Sequence, residues 1–257
     1  MNRTFLTKTL GSLAGLIQGD TLTRDRWLWL KRRLPVTANG EKLLDVGCGS
    51  GAFTICAAQR GYAGTGLSWD EANMNIALER AKICGVANVK FQICDVRQLD
   101  QQKALVGAFD VAICCENIEH IIDDRRLIRA IDGCLKPGGR LFLTTPNYYY
   151  RAMTKEDNGP FLLREDGGHV RRGYTEAQIR ELFAGTNLEV EQISYCSGFA
   201  SQKLTAVLRQ FRGGSYLAGW LLTLPFRFLV PPFDWVFHRL YDYPQFSICV
   251  EVYKRRF

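Results

Sequence analysis

The segment Asp45-Val46-Gly47-Cys48-Gly49-Ser50-Gly51 limits what this chain can fold into more than any other stretch. It follows a short apolar run at 43–46 and opens a segment, 52–60, whose apolar residues recur at three- and four-residue spacing. Strand, glycine turn and helix in that order begin a βαβ unit. Further β-rich runs at 63–67, 89–94, 109–115 and 140–145 alternate with helical patterns at 71–84 and 125–135. That alternation predicts an α/β fold with a doubly wound, mostly parallel sheet. Lys136-Pro137-Gly138-Gly139 stops the third helix and turns the chain into the fifth strand. A polar loop then spans 146–173, Thr175 caps a helix through Phe183, and runs at 188–194 and 246–253 bring the predicted strands to seven.

Three regions follow: an N-terminal helical segment (1–41), a core (42–196), and an apolar helical lid or surface segment with the final strand (197–257). With 47% hydrophobic residues the chain can bury a full core, which excludes intrinsic disorder. The net charge of +7 is concentrated at the ends: the first 42 and the last 58 residues each hold eight basic residues against three acidic ones. The middle is therefore slightly acidic, which argues against a nucleic-acid partner. Nine cysteines lie inside apolar runs without paired spacing, and read as reduced residues of a cytoplasmic protein. Phe5, Leu6, Leu10, Leu13, Leu16 and Ile17 recur at helical spacing with no acid before Asp20, a pattern shared by a packing helix and a targeting or membrane-surface helix. The apolar stretch 215–237 is interrupted by Pro225, Arg227, Pro231, Pro232 and Asp234. It is too broken for a membrane span. It reads as helices over the sheet edge that form a substrate lid or dip into a bilayer, the plain alternative being additional core helices.

Alternate glycines let the backbone of the 47–51 loop approach a ligand closely, and the acid that precedes them suits a cation, a sulfonium or an amine, better than a phosphate. With Asp95 after the third strand and the Lys136–Gly139 turn, the stretch 43–194 resembles the class I S-adenosylmethionine-dependent methyltransferases. The resemblance implies a Rossmann-like sheet and a cofactor held by Asp45, Gly47, Cys48, Gly49, Gly51, Asp95, Val96 and Glu116. That family ends its second strand on an acid that binds the ribose; here Ser68 stands there, with Asp70 two residues on, and the two are expected to contact the cofactor, Asp70 at the ribose.

Methyl transfer from a sulfonium needs alignment above all, and alignment alone supplies about 7 to 11 kcal/mol. No N-P-P-Y-type tetrad follows the fourth strand, which disfavours amine acceptors. Instead Glu116, Glu119 and His120 fall at i, i+3 and i+4, on one face of a helical turn, and His169 lies in a loop after the fifth strand. Two carboxylates and two imidazoles converging at the strand ends suit Mg²⁺, Mn²⁺, Fe²⁺ or Zn²⁺. The E-x-x-E-H pattern with a distant G-x-H is similar to that of the ubiquinone-pathway O-methyltransferases and of the small-RNA 2′-O-methyltransferases. Both resemblances imply a divalent ion, Mg²⁺ or Zn²⁺, at Glu116, Glu119, His120 and His169. Catalysis by His120 or His169 as a metal-free base, with Glu116 beside them, stays open. So does a helix cap with no chemistry. Arg171 and Arg172 could pair with an anionic acceptor, and Tyr148, Tyr149 and Tyr150 could line its pocket or simply pack the loop; His238 reads as structural. The expected activity is O-methylation of an amphiphilic, aromatic or polyol small molecule. Its rivals are an RNA ribose methyltransferase and a noncatalytic cofactor-binding protein.

Overall fold

The computed structural model describes residues 20–211, 216–229 and 233–256. The helical pattern within 1–17 lies outside these residues. The strands are β1 (Lys42–Val46), β2 (Ala63–Ser68), β3 (Val89–Ile93), β4 (Phe109–Cys115), β5 (Leu135–Pro146), β6 (Leu188–Cys196) and β7 (Ser247–Lys254). They form one sheet in the order β3-β2-β1-β4-β5-β7-β6, with β7 antiparallel to both of its neighbours and the other pairings parallel. The helices are α1 (Thr21–Arg33), α2 (Ala52–Ala58), α3 (Glu71–Ile83), α4 (Asp124–Cys134), α5 (Glu176–Leu182), α6 (Phe199–Gln210), α7 (Tyr216–Leu229) and α8 (Asp234–Tyr241).

Alternation along the strands assigns each apolar side chain to one of two cores. Leu44, Val46, Ala112, Cys114, Leu141 and Leu143 pack on one face with Leu127, Ile128 and Ile131 of α4. Leu43, Val111, Ile113 and Phe142 point to the other, where Trp27, Trp29 and Leu30 of α1 cover them. The N-terminal helix is thus part of the core, and this brings its Arg26 to the end of β4. Its start is capped by Asp20, which accepts the Thr23 N–H, and its last turn carries Lys31, Arg32 and Arg33.

The fifth strand begins earlier than its breaker residues predict. Leu135 already pairs with Phe109, and 136–139 form an irregularity inside the pairing rather than a turn ahead of it. The predicted cap at Thr175 is present as a capping box with Gln178. At the C-terminal end, α7 continues through Pro225, and Asp234 at the start of α8 accepts N–H groups from Gly198 and Ala200 at the start of α6. Among the described residues no helix is long and apolar enough to cross a membrane. All nine cysteines are free.

Candidate active site

Strand order reverses between β1 and β4, and in such sheets the carboxyl ends of the strands beside that switch open a crevice. A cleft of about 360 Å³ lies there. Its floor is the glycine loop. Gly47 adopts φ 82° and Gly49 φ 51°, left-handed conformations that disfavour side chains, and a Cβ on Gly47 would sit 2.6 Å from the Asn117 side chain. The loop is tied to β2 because Gly47 and Cys48 both donate N–H groups to the Leu67 carbonyl.

Of the residues expected to hold a cofactor, Gly47, Gly49, Ser68, Asp70, Asp95, Val96 and Glu116 line this cleft. Asp45, Cys48 and Gly51 do not. Asp45 is 2% exposed and accepts the Thr54 hydroxyl at 2.6 Å, so it fixes α2 under the loop rather than reaching a ligand. Cys48 packs its sulfur against Gly66, and Gly51 caps α2 in tight contact with Ala77 and Phe91.

Burial without a counter-charge raises the Asp45 carboxyl to about 7. An unfolded chain returns it to an ordinary value near 3.8. Between those two values the native state holds a proton that the unfolded state lacks, so this contribution to stability is complete at the acidic end and is lost as pH rises through 7. Asp45→Asn keeps an acceptor for Thr54 and does not titrate. Urea unfolding should show its stability relative to the native sequence improving by about 2 kcal/mol or more from about pH 5 to pH 8. A constant difference would contradict the assignment.

Two further acids of the cleft are already engaged. Asp70 caps α3, accepting from the Ala72 and Asn73 N–H groups and from the Asn73 side-chain amide. Asp95 is gripped by the Arg97 guanidinium at 2.6 to 3.0 Å, which holds its carboxyl below the usual range. Arg97 also reaches Glu165 of the long loop at 3.0 Å, and Glu165, Asp166 and Gly167 complete the cleft together with Trp69, a 65% exposed aromatic. Sequence reasoning passed over Trp69, Arg97, Glu165 and Asp166. Only Trp69 carried a usable signal, a large aromatic directly after a strand end.

The E-x-x-E-H residues do not share one helical face. Glu116 stands just past β4 with φ 50°, and the turn that follows, Ile118–His120, is a 3₁₀ turn. The Glu116 carboxylate points to Arg26 of α1 at 2.8 Å and accepts the Ser247 hydroxyl at 3.2 Å. The structure instead brings together Glu119, His120 and His169, one ligand atom of each lying within 4.8 Å of the others. Glu119 is 1% exposed. One of its oxygens accepts the Thr145 hydroxyl at 3.1 Å, while the other is buried with no hydrogen-bond partner. Burial first, and the Glu116 charge second, push its carboxyl well above the usual range.

His120 places Nδ1 at 3.0 Å from the Gly168 carbonyl, so Nδ1–H donates there and Nε2 lies 3.9 Å from the Glu119 carboxylate. The His169 ring meets that of His120 edge-on at 4.6 Å. Burial, reinforced by His120, lowers its pKa to about 4, and it is neutral at physiological pH. A second strap, from the Val170 N–H to the Glu119 carbonyl at 3.0 Å, fixes the loop beside this cluster.

The other candidates are committed to structure. Arg171 pairs with Asp124 and donates to the Ile121 and Ile122 carbonyls. Arg172 donates to the Tyr148 and Tyr150 carbonyls. Tyr150 is buried against Phe246, whereas Tyr148 and Tyr149 are exposed. His238 places Nδ1 3.2 Å from the Tyr243 carbonyl, far along the chain from the cleft.

Comparison with known proteins agrees with this geometry. A ubiquinone biosynthesis O-methyltransferase of Acinetobacter baylyi is 38% identical over 108 residues, 42% of this chain and 44% of that protein. The aligned stretch thus spans a little under half the length of that relative. Among solved structures, the [4+2]-cyclase SpnF superposes with a TM-score of 0.63 at 21% identity, covering 92% of this chain and 82% of its own. The geranyl diphosphate C-methyltransferase of Streptomyces coelicolor gives a TM-score of 0.59 at 16% identity, covering 90% and 76%. Those likenesses establish the shared fold, which hosts more than one reaction. The family described as a methyltransferase domain matches residues 24–193, from the N-terminal helix to β6, and this chain belongs to it.

Proposed function

We propose that the chain is an S-adenosylmethionine-dependent O-methyltransferase acting on a hydroxyl of an amphiphilic phenol or catechol, with a divalent ion at Glu119, His120 and His169. The observation that carries the reading is the adjacency of two half-sites that share His120: a cleft lined by the glycine loop and His120, and a cluster in which His120 meets the buried Glu119 carboxylate and His169. The donor set fits a cation. Glu119 has a buried oxygen without a partner, His120 is oriented through its far nitrogen, and three protein ligands leave positions open for an acceptor. When bound, such an ion lowers the pKa of hydroxyl groups that reach it, so that an alcohol or phenol becomes nucleophilic near neutrality. The protein's own part is to align donor and acceptor and to exclude water. His169 as a metal-free base fits less well, because a base with a pKa near 4 takes a hydroxyl proton poorly at neutral pH. Five carboxylates line the cleft, which disfavours the phosphate backbone of an RNA acceptor.

The name of the curated relative and this chain's own apolar helices both support a prenylated or otherwise lipid-like acceptor. Leu221, Leu222 and Phe226 of α7 and Leu240 and Tyr241 of α8 are about half exposed or more. With the basic C-terminal stretch around them, these side chains suit shallow insertion into an anionic bilayer. The chain should co-sediment with vesicles containing phosphatidylserine, and Leu222→Glu with Phe226→Glu should abolish this; unchanged sedimentation would contradict it.

Turnover with catechol, polyol and RNA acceptors, each with and without EDTA, tests the main reading. Transfer to a prenylated catechol is expected, lost with chelator and restored by Mg²⁺ or Zn²⁺. Chelator-insensitive transfer would remove the ion from the account, and transfer to RNA alone would overturn the acceptor class.

A further inference from the structure

We infer that Asp166, on the loop over the cleft, binds the ribose diol of the donor. The inference rests on the reading of the cleft as an adenosyl-donor site.

A vicinal diol is best held by a carboxylate with acceptor capacity on both oxygens, each taking one hydroxyl hydrogen. Five carboxylates line the cleft, and four are spent. Asp70 has both oxygens engaged at the start of α3. Asp95 is saturated by Arg97. Glu116 is held by Arg26 and Ser247. Glu165 accepts from Arg97 through one oxygen and from the Ile122 N–H through the other.

Asp166 differs from all four. One of its oxygens meets the Gly168 N–H at 3.4 Å, a long contact, and the other meets Arg164 at 3.3 Å. Arg164 is 84% exposed and the Asp166 side chain 45%, so that pair holds the carboxylate weakly in water. Asp166 therefore keeps its acceptor capacity while lining the same cleft as Ser68, the residue that ends β2 without a charge. The loop passes close to that strand end: a Cβ on Gly167 would lie 3.9 Å from the Trp69 ring, and Trp69 directly follows Ser68.

The position has a consequence for the reaction centre. Two residues beyond Asp166, the Gly168 carbonyl receives the His120 Nδ1–H, and then come His169 and the Val170 strap to Glu119. A donor held at Asp166 therefore lies beside the chain segment that faces the Glu119–His120–His169 cluster.

The test is calorimetric titration of the full chain with S-adenosylhomocysteine and with its 2′,3′-dideoxy analogue, using the native sequence, Asp166→Asn and Asp70→Asn. A hydrogen bond to a charged acceptor is worth about 10- to 100-fold in affinity. The native protein should lose that factor with the dideoxy analogue. Asp166→Asn should lose it with S-adenosylhomocysteine, and show no further loss with the analogue. Native-like affinity of Asp166→Asn, or a dideoxy penalty that persists there and vanishes in Asp70→Asn, would overturn the inference and leave the donor site intact. Failure of the native protein to bind S-adenosylhomocysteine would instead overturn the donor-site reading itself. Asp166→Ser with a near-ultraviolet dichroism spectrum guards against misfolding, and it should reproduce the Asp166→Asn result.

Discussion

Changing His169 to alanine is expected to slow methyl transfer by about 100-fold or more, as loss of a group at a metal site does, with binding of S-adenosylhomocysteine retained. The imidazole is absent from the lining of the cofactor cleft, yet it lies within reach of Glu119 and His120. Its loss removes one of three converging ligand atoms and leaves the glycine loop untouched. The fold of the loop does not depend on the ring, since the His169 carbonyl accepts the Leu162 N–H and Val170 donates to Glu119 through backbone atoms that alanine also has. The effect should fall on kcat, with a smaller change in donor KM. Titration and steady-state kinetics on the same preparation separate the two. Turnover near the native rate would remove His169 from the chemistry.

Arg26→Ala is expected to lower the stability of the protein by about 3 to 5 kcal/mol, because removing one partner leaves a buried charge uncompensated. Arg26 and Glu116 are 10% and 17% exposed in their side chains and 2.8 Å apart. Without the guanidinium, Glu116 would sit as an unpaired carboxylate close to Glu119, whose own carboxyl is already held high by burial and by the charge of Glu116. Glu116 also occupies a left-handed backbone conformation, which a non-glycine residue holds only where its surroundings impose it. Urea denaturation reads the loss. Combining Arg26→Met with Glu116→Gln should recover most of it, since no charge is then left behind. A single-variant loss below about 1 kcal/mol would show that the pair is solvent-screened and that α1 does not hold the end of β4.

Arg26 also marks where sequence legibility ends. Strand–helix alternation and the glycine loop suffice to place the sheet, because side-chain period and backbone conformation are local properties. The start of β5 was hidden because Pro137, Gly138 and Gly139 read locally as a break, while pairing of Leu135 with Phe109 is a tertiary fact. Of the four residues expected to converge, the structure brings Glu119, His120 and His169 together. Glu116 lies off the expected common face because the segment turns as 3₁₀ rather than as an α-helix, and because it pairs with a residue 90 positions earlier that no local pattern announces. The Asp45–Thr54 bond was hidden for a related reason: an acid before a glycine loop suggests a ligand contact, and its partner on the following helix is a tertiary fact. The loop residues of the cleft were illegible because their roles depend on how the 146–173 segment folds back over the strand ends.

The most direct test of the account follows an isotopically labelled methyl group from S-adenosylmethionine into a prenylated catechol, with the product read by NMR. One label per acceptor is expected, on a phenolic oxygen, and none when Glu119 is replaced by glutamine. A label on carbon or nitrogen, or full transfer by Glu119→Gln, would contradict it.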